Sequence, residues 1–140
     1  MNSDEIDRFL RARVRDFDGV FSIDTLPDDA RLLVCNTDPF NKPGRHWIAI
    51  YIRDGRREFF DSFGRRPNID FELYMNRHCV SWNFNDRQLQ SIISKFCGHY
   101  CIYFCIRRGS GIDMRKIVRS FTSDTGLNDV LVHAYVCSRQ

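Results

Sequence analysis

The segment that most constrains this chain is His46-Trp47-Ile48-Ala49-Ile50-Tyr51-Ile52, which is apolar on both faces after its first residue. Such a strand has to lie centrally in a sheet covered on both sides, because exposing either face would leave large apolar side chains in water. Asp54-Gly55 supplies a hairpin turn, so Arg57-Glu58-Phe59-Phe60-Asp61 is predicted to return antiparallel. With Asp54 and Gly55 as the loop, Arg53 faces Arg56 and Ile48 faces Asp61. His46 then falls on the same face as Asp61, a diagonal neighbour roughly 7–8 Å away, and one bulge would set the two directly opposite. The hairpin itself brings a histidine and a carboxylate together.

The flanking elements complete an α+β reading. Ile6, Phe9, Leu10 and Arg13 recur at helical spacing over residues 3–13, with Ser3 or Asp4 as the N-cap. Residues 19–24 read as irregular, leading to a turn at Leu26-Pro27-Asp28-Asp29. Arg31 to Asn36 reads as a buried strand, closed by Asp38-Pro39 and the turn-rich Asn41-Lys42-Pro43-Gly44. Residues 69–77 are weakly helical, and Cys79 to Phe84 alternates as a further strand. From Cys97 through Arg107 the chain is small or apolar at helical spacing, ending in the basic turn and glycine stop of Arg108-Gly109. Ile112–Phe121 and Leu127–Val136 give two more helices. A chain of 140 residues with 43% hydrophobic content supports one core, so residues 1–140 are expected to form a single domain.

Composition narrows the function classes. The apolar runs are only a handful of residues long, far below the ~20 that cross a bilayer. No membrane association is expected. The acidic start Met1-Asn2-Ser3-Asp4-Glu5 lacks the basic patch and apolar run of a secretory signal, so the expected location is intracellular, in nucleus or cytoplasm, or a virion. In that setting the six cysteines are expected to be thiols. They form no C-x-x-C pair, and His99 between Cys97 and Cys101 does not give an established zinc spacing, so neither metal nor cofactor is expected. The net charge of +3 is the mild excess of a solvated surface, although Arg56-Arg57, Arg65-Arg66 and Arg107-Arg108 offer contacts to phosphates.

Cys97 is the candidate nucleophile, since it lies where a loop becomes a helix. The positive end of a helix stabilises a thiolate, and Gly98 leaves the sulfur approachable by a substrate backbone. Cys97, Cys101 and Cys105 also form one stripe at i, i+4, i+8, and the latter two read as core. His46, at the sheet edge beside a cleft, suits a general base. A carboxylate from Asp61 on Nδ1 would fix its tautomer and leave Nε2 for the thiol. Taken singly, the histidine reads as a surface or core residue and the aspartate as a turn former; together they form a catalytic constellation.

Gly44-Arg45-His46-Trp47-Ile48-Ala49, then Phe60-Asp61-Ser62-Phe63-Gly64, then Gln90 seven residues ahead of Cys97-Gly98 give an ordered set of motifs within residues 19–108. The set resembles the adenovirus-type cysteine endopeptidase (adenain) family and its relatives the SUMO-type proteases, with the closest likeness to versions carried by Polinton (Maverick) transposons and related DNA viruses. The resemblance implies a papain-like fold, with a central helix carrying the nucleophile packed on a mixed, mainly antiparallel sheet. It implies Cys97 as nucleophile, His46 as base, Asp61 as its orienting acid and Gln90, rather than Gln88, as oxyanion donor. Trp47 resembles the aromatic wall that narrows the cleft around glycine, although ordinary packing would equally place it there, and Gly98 adjoins the substrate. The implied function is cleavage of viral or transposon capsid or other precursor proteins at glycine-containing sites. The alternatives are removal of a ubiquitin-like modifier and a non-catalytic module of the same fold that binds protein or nucleic acid. The aspartate matches the SUMO-type enzymes, whereas the adenoviral enzyme uses glutamate, and the chain is shorter than either. By resemblance, an activating peptide and DNA are candidate partners, with Cys79 as a guess for a peptide-bonding cysteine. A monomer is expected.

Overall fold

The computed structural model describes residues 1–38, 46–77 and 80–140. The expected turn at Asn41–Gly44, the Gly44-Arg45 part of the first motif, and Cys79 lie outside the described residues. The elements run α1 (Ser3–Arg11), β1 (Phe17–Ser22), β2 (Leu32–Asn36), β3 (Trp47–Arg53), β4 (Arg56–Phe60), α2 (Ile69–Asn76), β5 (Ser81–Phe84), α3 (Cys97–Gly109), α4 (Met114–Arg119) and α5 (Thr125–Cys137).

The five strands form one sheet in sequence order. The central strands β2, β3 and β4 pair antiparallel, and Arg53 faces Arg56 as the turn residues require. Asp54 and Gly55 both take positive φ, which is what lets a two-residue loop follow the strand twist. Each edge joins in parallel, β1 on β2 and β5 on β4, so the sheet is mixed and its antiparallel part is the middle.

Alternation along β2, β3 and β4 divides the core. Leu32, Val34, Ala49 and Phe60 face α1, α3, α4 and α5, with Phe60 and Phe104 ring centres 4.6 Å apart. Leu33, Cys35, Ile48, Ile50 and Phe59 face the other way, against Phe71, Tyr74 and Met75 of α2. Helix α3 is the axis of the first layer, packed on β3 and touched by α1, α4 and α5. Tyr100, Cys101, Ile102, Phe104 and Cys105 are all buried, so the expected cysteine stripe is core as read.

Three local readings are corrected. The α1 N-cap is Asn2, whose side chain accepts from the Glu5 N–H at 2.9 Å, not Ser3 or Asp4. Residues 17–22 are a strand rather than irregular: the Asp18 carboxylate accepts from the N–H groups of Arg31 (2.6 Å) and Leu32 (3.1 Å), a side chain joining two strands where the ladder shifts at Gly19. Helix α3 runs through Gly109, and the left-handed glycine that ends the turn is Gly111. In two of the arginine pairs one member is engaged within the fold. Arg57 is buried and donates to the Tyr74 carbonyl, and Arg108 binds Glu58 at 2.8 Å while stacking on Tyr51.

Candidate active site

Cys97 is the first residue of α3, and Phe96 at the N-cap offers no side-chain hydrogen bond to the helix end. The uncapped N–H groups therefore turn their partial positive charge toward the sulfur. His46 immediately precedes β3 and Asp61 immediately follows β4, so both sit at the end of the central hairpin that faces the start of α3. The His46 Nε2–H donates to Asp61 Oδ1 at 2.7 Å, with no bulge in the ladder from Ala49–Phe60 to Arg53–Arg56. This corrects the expected ring orientation: the carboxylate holds Nε2, which leaves Nδ1 as the nitrogen available to the sulfur. Cys97 and His46 line one cavity and act on each other's protonation.

The two groups shift in opposite directions. Burial works against charge on His46, but hydrogen bonds to Asp61 and Cys97, and the negative charge of both, raise its pKa to about 9. Burial likewise disfavours the Cys97 thiolate, yet the His46 hydrogen bond, the Trp47 backbone N–H, the imidazolium charge and the Gly98 N–H together bring the thiol below its usual value. Both shifts act in the direction of a thiolate–imidazolium pair. Burial pushes the thiols of Cys35, Cys101 and Cys105 up instead. Cys137 is exposed and lies 3.5 Å from His133, with no carboxylate behind that ring among the described residues.

Asp61 is positioned through its backbone. Its N–H donates to the buried Asn85 side chain at 2.9 Å, and the Asn85 amide returns a bond to the Asp61 carbonyl at 2.6 Å. The Phe63 N–H adds 2.9 Å to the carboxylate, and the Phe63 ring stacks on His46 with centres 4.8 Å apart. Gly64 closes this turn at φ +70°, where a Cβ would stand 2.4 Å from the backbone of Arg87.

Gln90 is fully buried beside the cleft. Its backbone N–H bonds the Ser62 carbonyl at 3.0 Å, and its side-chain oxygen accepts from Ser62 Oγ at 2.5 Å. The Gln90 amide nitrogen, expected at the oxyanion, donates to the carbonyl (3.1 Å) and hydroxyl (2.9 Å) of Ser94. Gln88 instead bonds the Gln90 carbonyl. Trp47 lines the same cleft, and its buried indole N–H has no partner among the described residues. Gly98 acts on the thiol through its backbone, and a Cβ at this position would stand 3.1 Å from Ile6 and 3.6 Å from Trp47.

Two cavities meet at His46 and Phe63. One, of about 400 Å³, also reaches Trp47, Gln90, Lys95 and Cys97. The other, of about 450 Å³, reaches Asp61, Arg65 and Phe71. A depression of about 510 Å³ around Tyr51, Glu58 and Arg108 has no nucleophile in its lining. Among the described residues no group of three or more His, Cys, Asp or Glu side chains could hold a metal ion. Phe63, Ser62, Asn85 and Ser94 were not singled out from sequence; the first two lie inside the quoted motif, while Asn85 and Ser94 carry no local signal.

No family model matches the sequence, and no curated protein does. Among solved structures the chain is similar to the ASFV pS273R protease, with a TM-score of 0.66 at 19% identity over 94% of this chain and 66% of that one. A selenomethionine form of that protease matches with a TM-score of 0.54 at 22% identity, over 74% of this chain and 44% of the other. The SUMO protease Ulp1, with its catalytic cysteine oxidized to a sulfinic acid, matches with a TM-score of 0.50 at 14% identity over 99% of this chain and 78% of that one. The chain thus spans between 44% and 66% of the pS273R chains it matches. At these identities the likeness establishes the fold: α+β and papain-like, of the kind these cysteine proteases share.

Proposed function

We propose that this chain is a cysteine endopeptidase in which Cys97, His46 and Asp61 act as a triad and Gln90 as an oxyanion donor. The observation that carries the reading is the His46–Asp61 hydrogen bond at 2.7 Å, with Cys97 lining the same cavity as His46 at the start of an uncapped helix and with a raised imidazole and a lowered thiol. In the mechanism the thiol proton resides on Nδ1 of His46. The thiolate attacks the scissile carbonyl carbon, whose oxygen takes the negative charge and is met by the Cys97 N–H and the Gln90 amide. Gln90 reaches that oxygen by releasing one of its contacts with Ser94. As the intermediate collapses, the Nδ1 proton passes to the leaving nitrogen, and water, deprotonated by His46, then cleaves the thioester.

The substrate proposed is a viral or transposon capsid or other precursor protein, cut at glycine-containing sites where Trp47 narrows the cleft. A second reading, removal of a ubiquitin-like modifier, is favoured by the similarity in fold to a SUMO protease along 78% of its length. Cys97→Ala is expected to abolish cleavage of precursor-derived peptides while leaving the circular dichroism spectrum unchanged. Wild-type turnover by that variant would remove Cys97 from the mechanism. Cleavage of modifier conjugates alone would select the second reading.

A further inference from the structure

Apart from Asp61 and the Cys97 sulfur, both beside His46, the charged side chains lining the two cavities that flank His46 are cationic. The proton donor to the leaving amine is His46, so under the proposed activity the leaving segment of a substrate runs past His46 and away from Cys97, into the cavity bounded by Phe63, Arg65, Arg66 and Asn68. The carboxylate lining that cavity is Asp61, which is held by His46. Arg66 is paired with Glu72 at 3.0 Å. Arg65 is different. It is exposed, its guanidinium lies 4.9 Å from the centre of the Phe63 ring, and it has no carboxylate partner among the described residues. Phe63 in turn stacks on His46 at 4.8 Å, so base, aromatic ring and cation form one column. The guanidinium is thereby kept within about 10 Å of the proton donor, the length of about three extended residues. On the Cys97 side the cavity also presents a cation, Lys95.

A flexible surface arginine is a weak partner for a carboxylate because fixing it costs side-chain entropy. Stacking on Phe63 lowers that cost by holding the guanidinium plane in advance, and its planar fork donates two parallel hydrogen bonds to a carboxylate. We propose that Arg65 forms a subsite for an acidic side chain within the first three residues on the leaving side of the scissile bond, so that the substrates of this chain are acidic there. This rests on the proposed protease activity, and it adds a substrate class to that activity.

The test is cleavage of a random peptide library by the wild-type chain, by Arg65→Gln and by Arg65→Glu, with products sequenced by mass spectrometry. The wild type is expected to favour Asp and Glu over neutral residues at one leaving-side position by about threefold to fivefold in kcat/KM, the size of an exposed charge pair. Arg65→Gln should flatten the preference, and Arg65→Glu should invert it toward Lys and Arg. The wild-type preference should also shrink as salt is raised. Cleavage with a flat or basic leaving-side profile, or an acidic profile that survives Arg65→Glu, would overturn the subsite and leave the protease reading standing. Absence of any cleavage by the wild type would overturn both.

Discussion

Replacing Asp61 by Asn keeps an oxygen able to accept from Nε2–H and removes the charge behind the imidazole. In the native chain His46 rises from 6.5 to about 9 despite burial, with the Asp61 hydrogen bond the largest of the favourable effects and Cys97 next. That rise is a preference for imidazolium of about 3 kcal/mol at 1.36 kcal/mol per pH unit. Charge on Asp61 is one part of it, so Asp61→Asn should lower the imidazolium pKa by about one pH unit, and Asp61→Ala, which loses the hydrogen bond too, by about two. The readout is the pH dependence of kcat/KM on a fluorogenic peptide. Its alkaline limb reports loss of the His46 proton needed by the leaving amine, and its acid limb reports ionisation of the thiol to form the pair. The alkaline limb should therefore move from near pH 9 toward 8 in the first variant and toward 7 in the second. The direction is fixed: removing a negative neighbour makes the cation harder to keep. An alkaline limb that stays in place in both folded variants would refute the coupling of His46 to Asp61.

Gly64→Ala places a Cβ 2.4 Å from the Arg87 carbonyl carbon at φ +70°, which should cost about 2–4 kcal/mol from strain and overpacking; urea unfolding midpoints measure it, and an unchanged midpoint would show that the two segments separate freely. Acid should weaken the fold through His99, whose pKa falls to about 4 through burial, then through the charges of His133 and the N-terminus. Its neutral ring is the folded form, so this stabilisation is complete above about pH 6.5 and is lost as pH drops toward 4, by about 1–2 kcal/mol after allowance for partial exposure. His99→Gln should flatten the stability profile over that window, and a slope retained in the variant would assign it to another group.

The central hairpin was legible because three local signals agree: apolar residues on both faces, a turn of two residues that accept positive φ, and a period of two that fixes the register once the turn is placed. From that register alone His46 and Asp61 share a face, and the contact forms without the extra bulge because two side chains at the strand ends reach across the diagonal. Which ring nitrogen meets the acid was not legible. It depends on where the start of α3 lies relative to the sheet, and that is set by packing of Tyr100, Cys101 and Phe104 in the core between α3 and the sheet rather than by residues near His46. The β1 edge escaped for a related reason. Asp18 and Gly19 are poor strand formers, and the strand is held by a carboxylate reaching to the Arg31 and Leu32 amides, a contact between segments 13 and 14 residues apart.

The buried polar residues explain how segments so far apart in sequence are held in one arrangement. Of the seven buried polar or charged residues described, Asp61, Ser62, Asn85, Gln90, Asn128 and Asp129 belong to one connected set, and Arg57 stands apart. Asn85 clamps the Asp61 backbone, and Ser62 grips Gln90 by both its hydroxyl and its carbonyl. One residue earlier, the Leu89 carbonyl accepts from the Asn128 amide at 3.0 Å and from the Tyr100 hydroxyl, which also donates to Asp129 at 2.8 Å. The set thus runs from the carboxylate behind His46, through the Gln90 segment, to α5 and back to α3 three residues beyond Cys97. Burying these groups gains little stability relative to apolar side chains of the same size, because each exchanges water for one or two protein partners. Their value is directional: a network whose members are satisfied in only one arrangement fixes that arrangement. Packing alone would hold α3 against the sheet but would tolerate small slides along it, and a slide of about 1 Å is enough to disrupt a catalytic hydrogen bond.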